Sequence, residues 1–291
     1  MPARAPRPAS VLVVDDDRTT RHVMRSVLAK AGFNVRVAKD GAEAIDRLRT
    51  KHYDLMLLDV WMPRMDGLGV LDRIKRAKRK PRVVVLTSDD TPGTILRAIR
   101  ERAHQFVHKP IEPLALLSLV RETLKAGPQQ PIEVVSARPD WVELSVPCTR
   151  EAADRLQGVM AHLDTDLPEE VRESVAYAFR ELLLNAVEWG GKLNPKRTVR
   201  ISYLRAKRML LYRIADPGSG FKMEGLSHAA ISHPDDPIEH MNIREQKGLR
   251  PGGFGILMVR AKVDELIYNE KQNEVVFVKY LDEPTVRSSV E

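Results

Sequence analysis

Cysteine is almost absent from this chain. Cys148 stands alone among 291 residues, so no intrachain disulfide can form. Apolar stretches long enough to span a bilayer are also missing, and the longest runs, Val11–Val14 and Val83–Leu86, are the size of strands. The segment Met1–Ser10 is rich in Pro, Ala and Arg but has no apolar core, so a secretory signal is not expected. These absences predict a cytoplasmic protein without membrane contact. An acidic excess is lacking as well, since the net charge is +7. No helix-turn-helix, zinc-ligand spacing or RNA-binding aromatic signature accompanies that basic balance, so DNA binding is disfavoured. The densest basic run, Arg73–Arg82, reads as the solvated end of a helix and its loop, with a docking patch for an acidic partner as the sharper alternative.

What is present suits two globular cores. The chain is 43% hydrophobic and 30% charged, and at about 150 residues per domain its length suggests two domains. No internal repeat or low-complexity tract interrupts it. Residues 1–126 alternate strand and helix. Strands are predicted at Val11–Val14, Val35–Ala38, Leu55–Leu58, Val83–Leu86 and Phe106–His108. Helices are predicted at Thr19–Ala31, Asp40–Thr50, Leu68–Ala77, Thr91–Arg102 and Pro113–Lys125. This alternation predicts a doubly wound parallel sheet covered on both faces. Ligands gather at the carboxyl ends of the strands in such sheets.

Reactive residues fall at those ends. Asp15 and Asp16 follow the first strand, Asp59 the third, Thr87 the fourth and Lys109 the fifth. Each acid alone would read as a helix cap. Several acids and a lysine at successive strand ends ask for more. Converging carboxylates repel, and a hard divalent cation relieves that repulsion. Oxygen-only ligands favour Mg²⁺ over zinc. A carboxylate beside such a cation can attack phosphorus, with a lysine and a hydroxyl to hold the phosphoryl oxygens.

The motifs Val14-Asp-Asp-Asp17, Leu58-Asp-Val-Trp-Met-Pro-Arg-Met-Asp-Gly67, Leu86-Thr-Ser88 and His108-Lys-Pro110 resemble the receiver domain of bacterial response regulators. The resemblance implies that Asp59 is the phosphoacceptor and that Asp15 and Asp16 hold Mg²⁺ with Asp59 and the Trp61 carbonyl. It implies Thr87 as the switch hydroxyl, Lys109 as the phosphate-binding lysine and Phe106 as the aromatic that reports the state, with plain core as the lesser alternative for Phe106. Ile111 and His108 depart from the family pattern without touching the acceptor chemistry.

Gly, Pro and Gln at 127–139 predict a linker, broken by the β-branched run Ile132–Val135, which reads as a strand or a packing contact. Residues 140–291 form the second predicted domain. Trp141–Val146 alternates like a half-buried strand, and Thr149 reads as the cap of a helix running through Leu163. A second helix opens with Pro168 at its first position and runs to about Trp189, where Gly190 and Gly191 stop it. Strands follow at Thr198–Tyr203, Met209–Ala215 and Glu274–Tyr280, which suggests an α+β sandwich. Glu181 and Asn185 share a helix face. Asp216-Pro-Gly218-Ser-Gly220 ends a strand and would let backbone approach a flat ring. Gly252-Gly253-Phe-Gly255 runs into an apolar helix whose free N–H groups suit phosphate. The Walker A spacing is absent.

In this order, the three elements resemble the boxes of the GHKL (Bergerat) ATP-binding fold, with the anti-sigma-factor serine kinases the best fit. The resemblance implies ATP and Mg²⁺ as cofactors. It implies Asn185 on Mg²⁺, Asp216 on the adenine amino group, Gly218 and Gly220 around the base, and Gly252, Gly253 and Gly255 at the phosphates. Glu181 would be the general base and 221–251 the lid. Trp189 stands where histidine is common, and Val275–Val276 where a threonine often helps hold adenine. His228, His233 and His240 are too irregularly spaced for a metal site, and Cys148 reads as a small buried residue.

The resemblances imply a two-component response regulator, phosphorylated on Asp59 by a histidine kinase. Its ATP-binding output domain would act as a serine/threonine protein kinase or anti-sigma factor, with a sigma factor or an anti-anti-sigma-like protein as partner. The alternative is a non-catalytic, ATP-dependent binding module gated by phosphorylation. A histidine kinase is disfavoured, because no His-acid pair lies on a dimerisation helix between the domains. The receiver face of 91–102 and 113–125 is expected to form a homodimer or to dock on the second domain.

Overall fold

The computed structural model describes residues 7–75, 77, 79–88, 94, 97–99, 101, 103–125, 130–138, 140–220 and 254–281. The chain divides into two compact units, 1–129 and 130–291.

The first unit is a five-stranded parallel sheet in the order β2-β1-β3-β4-β5. Its strands are β1 (Ser10–Val14), β2 (Asn34–Ala38), β3 (Leu55–Asp59), β4 (Arg82–Thr87) and β5 (Gln105–His108). Helices α1 (Arg18–Lys30), α2 (Gly41–Thr50) and α3 (Gly67–Ile74) connect strands, and α4 (Pro113–Lys125) follows β5. Within the helix expected at 91–102, Thr94 and residues 97–99 are helical. β1 and β3 are fully or almost fully buried, as a sheet covered on both faces requires. Val13, Leu57 and Leu86 pack against Leu28 of α1 and Leu116 and Val120 of α4.

Each early helix starts on an aspartate. The side chain of Asp17 accepts from Thr20 N at 2.7 Å, Asp40 from Glu43 N at 2.8 Å and Asp66 from Gly69 N at 2.6 Å. Glu43 also reaches back beyond the cap and accepts from Lys39 N at 3.0 Å. Part of the basic run is consumed internally. Arg82 donates to the Thr123 and Leu124 carbonyls near the end of α4, where the helix dipole favours a cation. Lys75 reaches Glu101 at 3.1 Å. Arg76 and Lys78 lie outside the described residues.

The second unit is an antiparallel sheet in the order β10-β11-β9-β8-β7-β6. Its strands are β6 (Glu133–Arg138), β7 (Trp141–Pro147), β8 (Thr198–Ala206), β9 (Met209–Ala215), β10 (Glu265–Tyr268) and β11 (Glu274–Tyr280). Helices α5 (Arg150–Leu163), α6 (Glu169–Asn185) and α7 (Gly255–Lys262) accompany it. The linker expected at 127–139 is corrected here, because residues 133–138 form β6 and pair with β7. Ile132 just before it is buried, so the β-branched run is part of the domain. β10 was not foreseen, since four residues of mixed polarity carry little periodic signal.

Strict alternation on β9 turns Leu210, Tyr212 and Ile214 inward. Tyr212 stacks on Phe277 with centroids 4.8 Å apart and lies 5.3 Å from Phe179 of α6. Thr149 caps α5 by accepting from Ala152 N at 3.2 Å. Pro168 is the cap residue of α6 rather than its first residue. The α-helix ends at Asn185 and continues as a π turn over Ala186–Gly190, so the expected single helix to Trp189 changes type midway. Such π turns are frequent at functional sites.

Candidate functional site

The strand order reverses between β1 and β3, and there the reactive groups of the first unit converge. Carboxylate oxygens of Asp15, Asp16 and Asp59 lie within 4.8 Å of one another. Asp15 and Asp59 are buried, while Asp16 faces solvent. Lys109 Nζ stands 2.6 Å from Asp15 Oδ2 and 2.9 Å from Asp59 Oδ2. Asp15 also accepts from Asp17 N at 2.8 Å. The acid run therefore divides its work: Asp17 caps α1, and Asp15 and Asp16 stay with the cluster. Burial pushes the Asp59 carboxyl up, and the ammonium of Lys109 opposes that shift. The same two carboxylates raise Lys109 against its own burial. The donor set contains only oxygens and carries excess negative charge, so the residues fit Mg²⁺.

Thr87 is fully buried at the end of β4, and its carbonyl accepts from Lys109 N at 2.8 Å. Phe106 is buried on β5. Trp61 is 55% exposed, two residues beyond Asp59. Gly67 shows why the loop after Asp59 needs glycine, because a Cβ there would stand 2.1 Å from the Asp59 carbonyl oxygen. Gly67 N instead donates to Val60 O at 2.9 Å and closes the turn.

In the second unit Asp216 ends β9. Its Oδ1 accepts from Gly218 N at 2.7 Å, and its own N–H donates to Asn273 O at 2.8 Å. Burial raises the Asp216 carboxyl, while the Gly218 N–H and the charge of Arg197 oppose the rise. Gly190, at the end of the π turn, packs against this carboxylate so closely that a Cβ would lie 2.2 Å from it. Gly218 packs on Gly190 in turn, and Gly220 takes a φ of 83° against Lys271. Glu181 lies one turn before Asn185 on α6, and Gly255, the first residue of α7, sits against Glu181. Two groups are thus assembled, Asp216 with Gly190 and Gly218, and Glu181 with Gly255. Asn185 stands at the junction of α6 and the π turn between them in sequence.

Gly190 and Gly218 pack against the half-buried Asp216 carboxylate, an acceptor that suits a ring offering an amino group. The residues therefore fit an adenine nucleotide. Gly252, Gly253, the segment 221–251 and its three histidines lie outside the described residues. Gly190, Arg197 and Asn273 were not foreseen as site residues. The Gly190-Gly191 pair was visible only as a helix stop. Cys148 is buried, and burial pushes its thiol up to about 11, which fits an unreactive packing role. Val275 is buried and pairs with Ile214.

Comparison with known proteins decides the family. A profile for the response regulator receiver domain matches residues 11–121, and one for a histidine kinase-like ATPase domain matches 145–279. The DNA-binding response regulator MtrA of Mycolicibacterium paratuberculosis is 31% identical over 202 residues, covering 68% of this chain and 88% of the relative. The chain belongs to the response regulator family. The response regulator MprA of Mycolicibacterium vanbaalenii is 34% identical over 145 residues, covering 50% of this chain and 63% of its own. Among solved structures, the chemotaxis response regulator CheY4 of Vibrio cholerae shares 27% identity, covers 40% of this chain and 98% of its own, and gives a TM-score of 0.38. This response regulator carries a receiver unit followed by a GHKL-type ATPase domain of an antiparallel sheet and helices. Among the described residues no helix is long and apolar enough to cross a membrane.

Proposed function

We propose that this response regulator is phosphorylated on Asp59 by a partner histidine kinase and that the phosphoryl group controls ATP-dependent work by the second unit. The observation that carries the first half is Lys109 spanning Asp15 and Asp59. A carboxylate oxygen of Asp59 attacks the phosphorus of a phosphohistidine. The P–N bond breaks, the imidazole leaves with its electron pair, and an acyl phosphate forms on Asp59. Lys109 and the Thr87 hydroxyl hold the phosphoryl oxygens. Asp15, Asp16, Asp59 and the Trp61 carbonyl would hold Mg²⁺, which would supply positive charge against the carboxylates and the incoming phosphoryl group.

For the second unit, Asp216 would accept from the adenine amino group, with Gly218 and Gly220 around the base and Gly255 at the phosphates. Asn185 would hold the Mg²⁺ that accompanies ATP. Glu181 takes the proton from a serine or threonine hydroxyl of a partner, which makes the output a protein kinase of the anti-sigma-factor-kinase type. A sigma factor or an anti-anti-sigma-like protein is the partner class. Support comes from Glu181 and Asn185 one turn apart on α6, with Gly255 against Glu181. Three proteins test the reading by ATP titration and phosphoryl transfer: wild type, Asn185→Ala and Glu181→Ala. Loss of ATP affinity in the first variant, with binding retained but transfer lost in the second, is expected. Transfer that survives Glu181→Ala would remove the base assignment and leave an ATP-dependent binding module.

A further inference from the structure

Arg197 lies between the π turn and β8, outside every motif in the chain. Its backbone is locked on both sides: its N–H donates to Asn194 O at 2.9 Å, and its carbonyl accepts from Cys148 N at 2.9 Å. The guanidinium Nη1 donates to Gly190 O at 3.2 Å. Gly190 is the residue that packs against Asp216 and under Gly218. The guanidinium is therefore attached to the residue that packs against the proposed adenine anchor. We infer that Arg197 is a positioning residue of the nucleotide site, which fixes Gly190 against Asp216 and supplies the positive charge that keeps this carboxylate an acceptor. The inference rests on the reading of Asp216 as the adenine anchor.

The chemistry gives the arrangement a purpose. The amino group of adenine is a hydrogen-bond donor and needs an acceptor opposite. An ionised Asp216 supplies it, whereas a protonated one has lost its charge and offers a donor of its own. Burial works against ionisation. The Gly218 N–H opposes burial most, the positive charge of Arg197 adds to it, and the Cys148 thiol, pushed up to about 11, stays protonated near neutrality. Of these, Arg197 brings the full positive charge. Removing it leaves burial opposed by a single N–H.

The test is ATP affinity measured from pH 5 to 8 for wild type, Arg197→Gln, Arg197→Met and Arg197→Lys, with thermal melts alongside. In the neutral variants the pH below which affinity falls should move up, so on the acid side they bind more weakly than wild type. Arg197→Lys keeps the charge and should keep the wild-type profile. Two neutral variants of different shape guard against one failing to fold. A neutral variant that folds and keeps the wild-type profile overturns the inference. A wild-type protein that binds no ATP at any pH overturns the adenine-pocket reading itself, and the role of Arg197 with it.

Discussion

Asp15, Asp59 and Lys109 illustrate how a few charges can be held out of water only by holding one another. Lys109 bridges two buried carboxylates that would otherwise repel. Asp59→Asn should therefore abolish phosphoryl incorporation from a small acyl phosphate while leaving the fold intact, as read by Phos-tag mobility and circular dichroism. A second buried acid serves stability instead. Asp164 accepts from Tyr203 at 2.6 Å and from Tyr212 at 2.7 Å, tying the end of α5 to β8 and β9. Asp164→Ala strands two buried hydroxyls and should cost about 2–4 kcal/mol in a urea melt. Burial raises the Asp164 carboxyl despite both hydrogen bonds. The folded state thus holds this proton more tightly than the unfolded chain does. Its contribution is greatest in acid and fades as pH rises from about 4, the unfolded value, through the folded one. In Asp164→Asn that part of the pH slope should vanish, and a slope equal to wild type would contradict the assignment.

Whole elements were legible in proportion to the strength of their pattern. β9 and β11 match their expected bounds, and on β9 seven residues of alternating burial leave one register. α4 matches its bounds as well. β6 was blurred by the Pro, Gly and Gln before it, and its partner β7 decides its fate rather than its own sequence. A fragment starting at residue 130 should melt cooperatively. One starting at residue 140 should lose β6, bare the edge of β7 and aggregate or melt at lower temperature. Equal melts would mean that β6 adds nothing to the sheet. The π turn was invisible, since no local residue preference announces it. Its consequence is testable at Gly190, where a methyl group would collide with Asp216. Gly190→Ala should weaken ATP binding about tenfold, or about 1.4 kcal/mol, with an unchanged circular dichroism spectrum.

At the scale of the molecule, two sites with different histories share one chain. The receiver site could be read from the sequence because its residues end successive strands of one parallel sheet, where topology brings them together. The proposed nucleotide site was harder to read because its residues are brought together by contacts between distant segments. Gly190 meets Asp216 and Gly218, and Asn273 Nδ2 donates to Gly218 O at 3.1 Å. No spacing rule encodes those approaches. The proposed control of the ATPase unit by charge added at Asp59 makes one prediction for the intact chain. The direct measurement is Mg·ATP affinity of the intact protein by calorimetry, with and without beryllofluoride at Asp59, and with Asp59→Asn as control. A change in affinity or in bound stoichiometry on adding beryllofluoride, absent from the control, is the predicted result. Nucleotide binding that is identical in all three samples would contradict phosphorylation control of the ATP site.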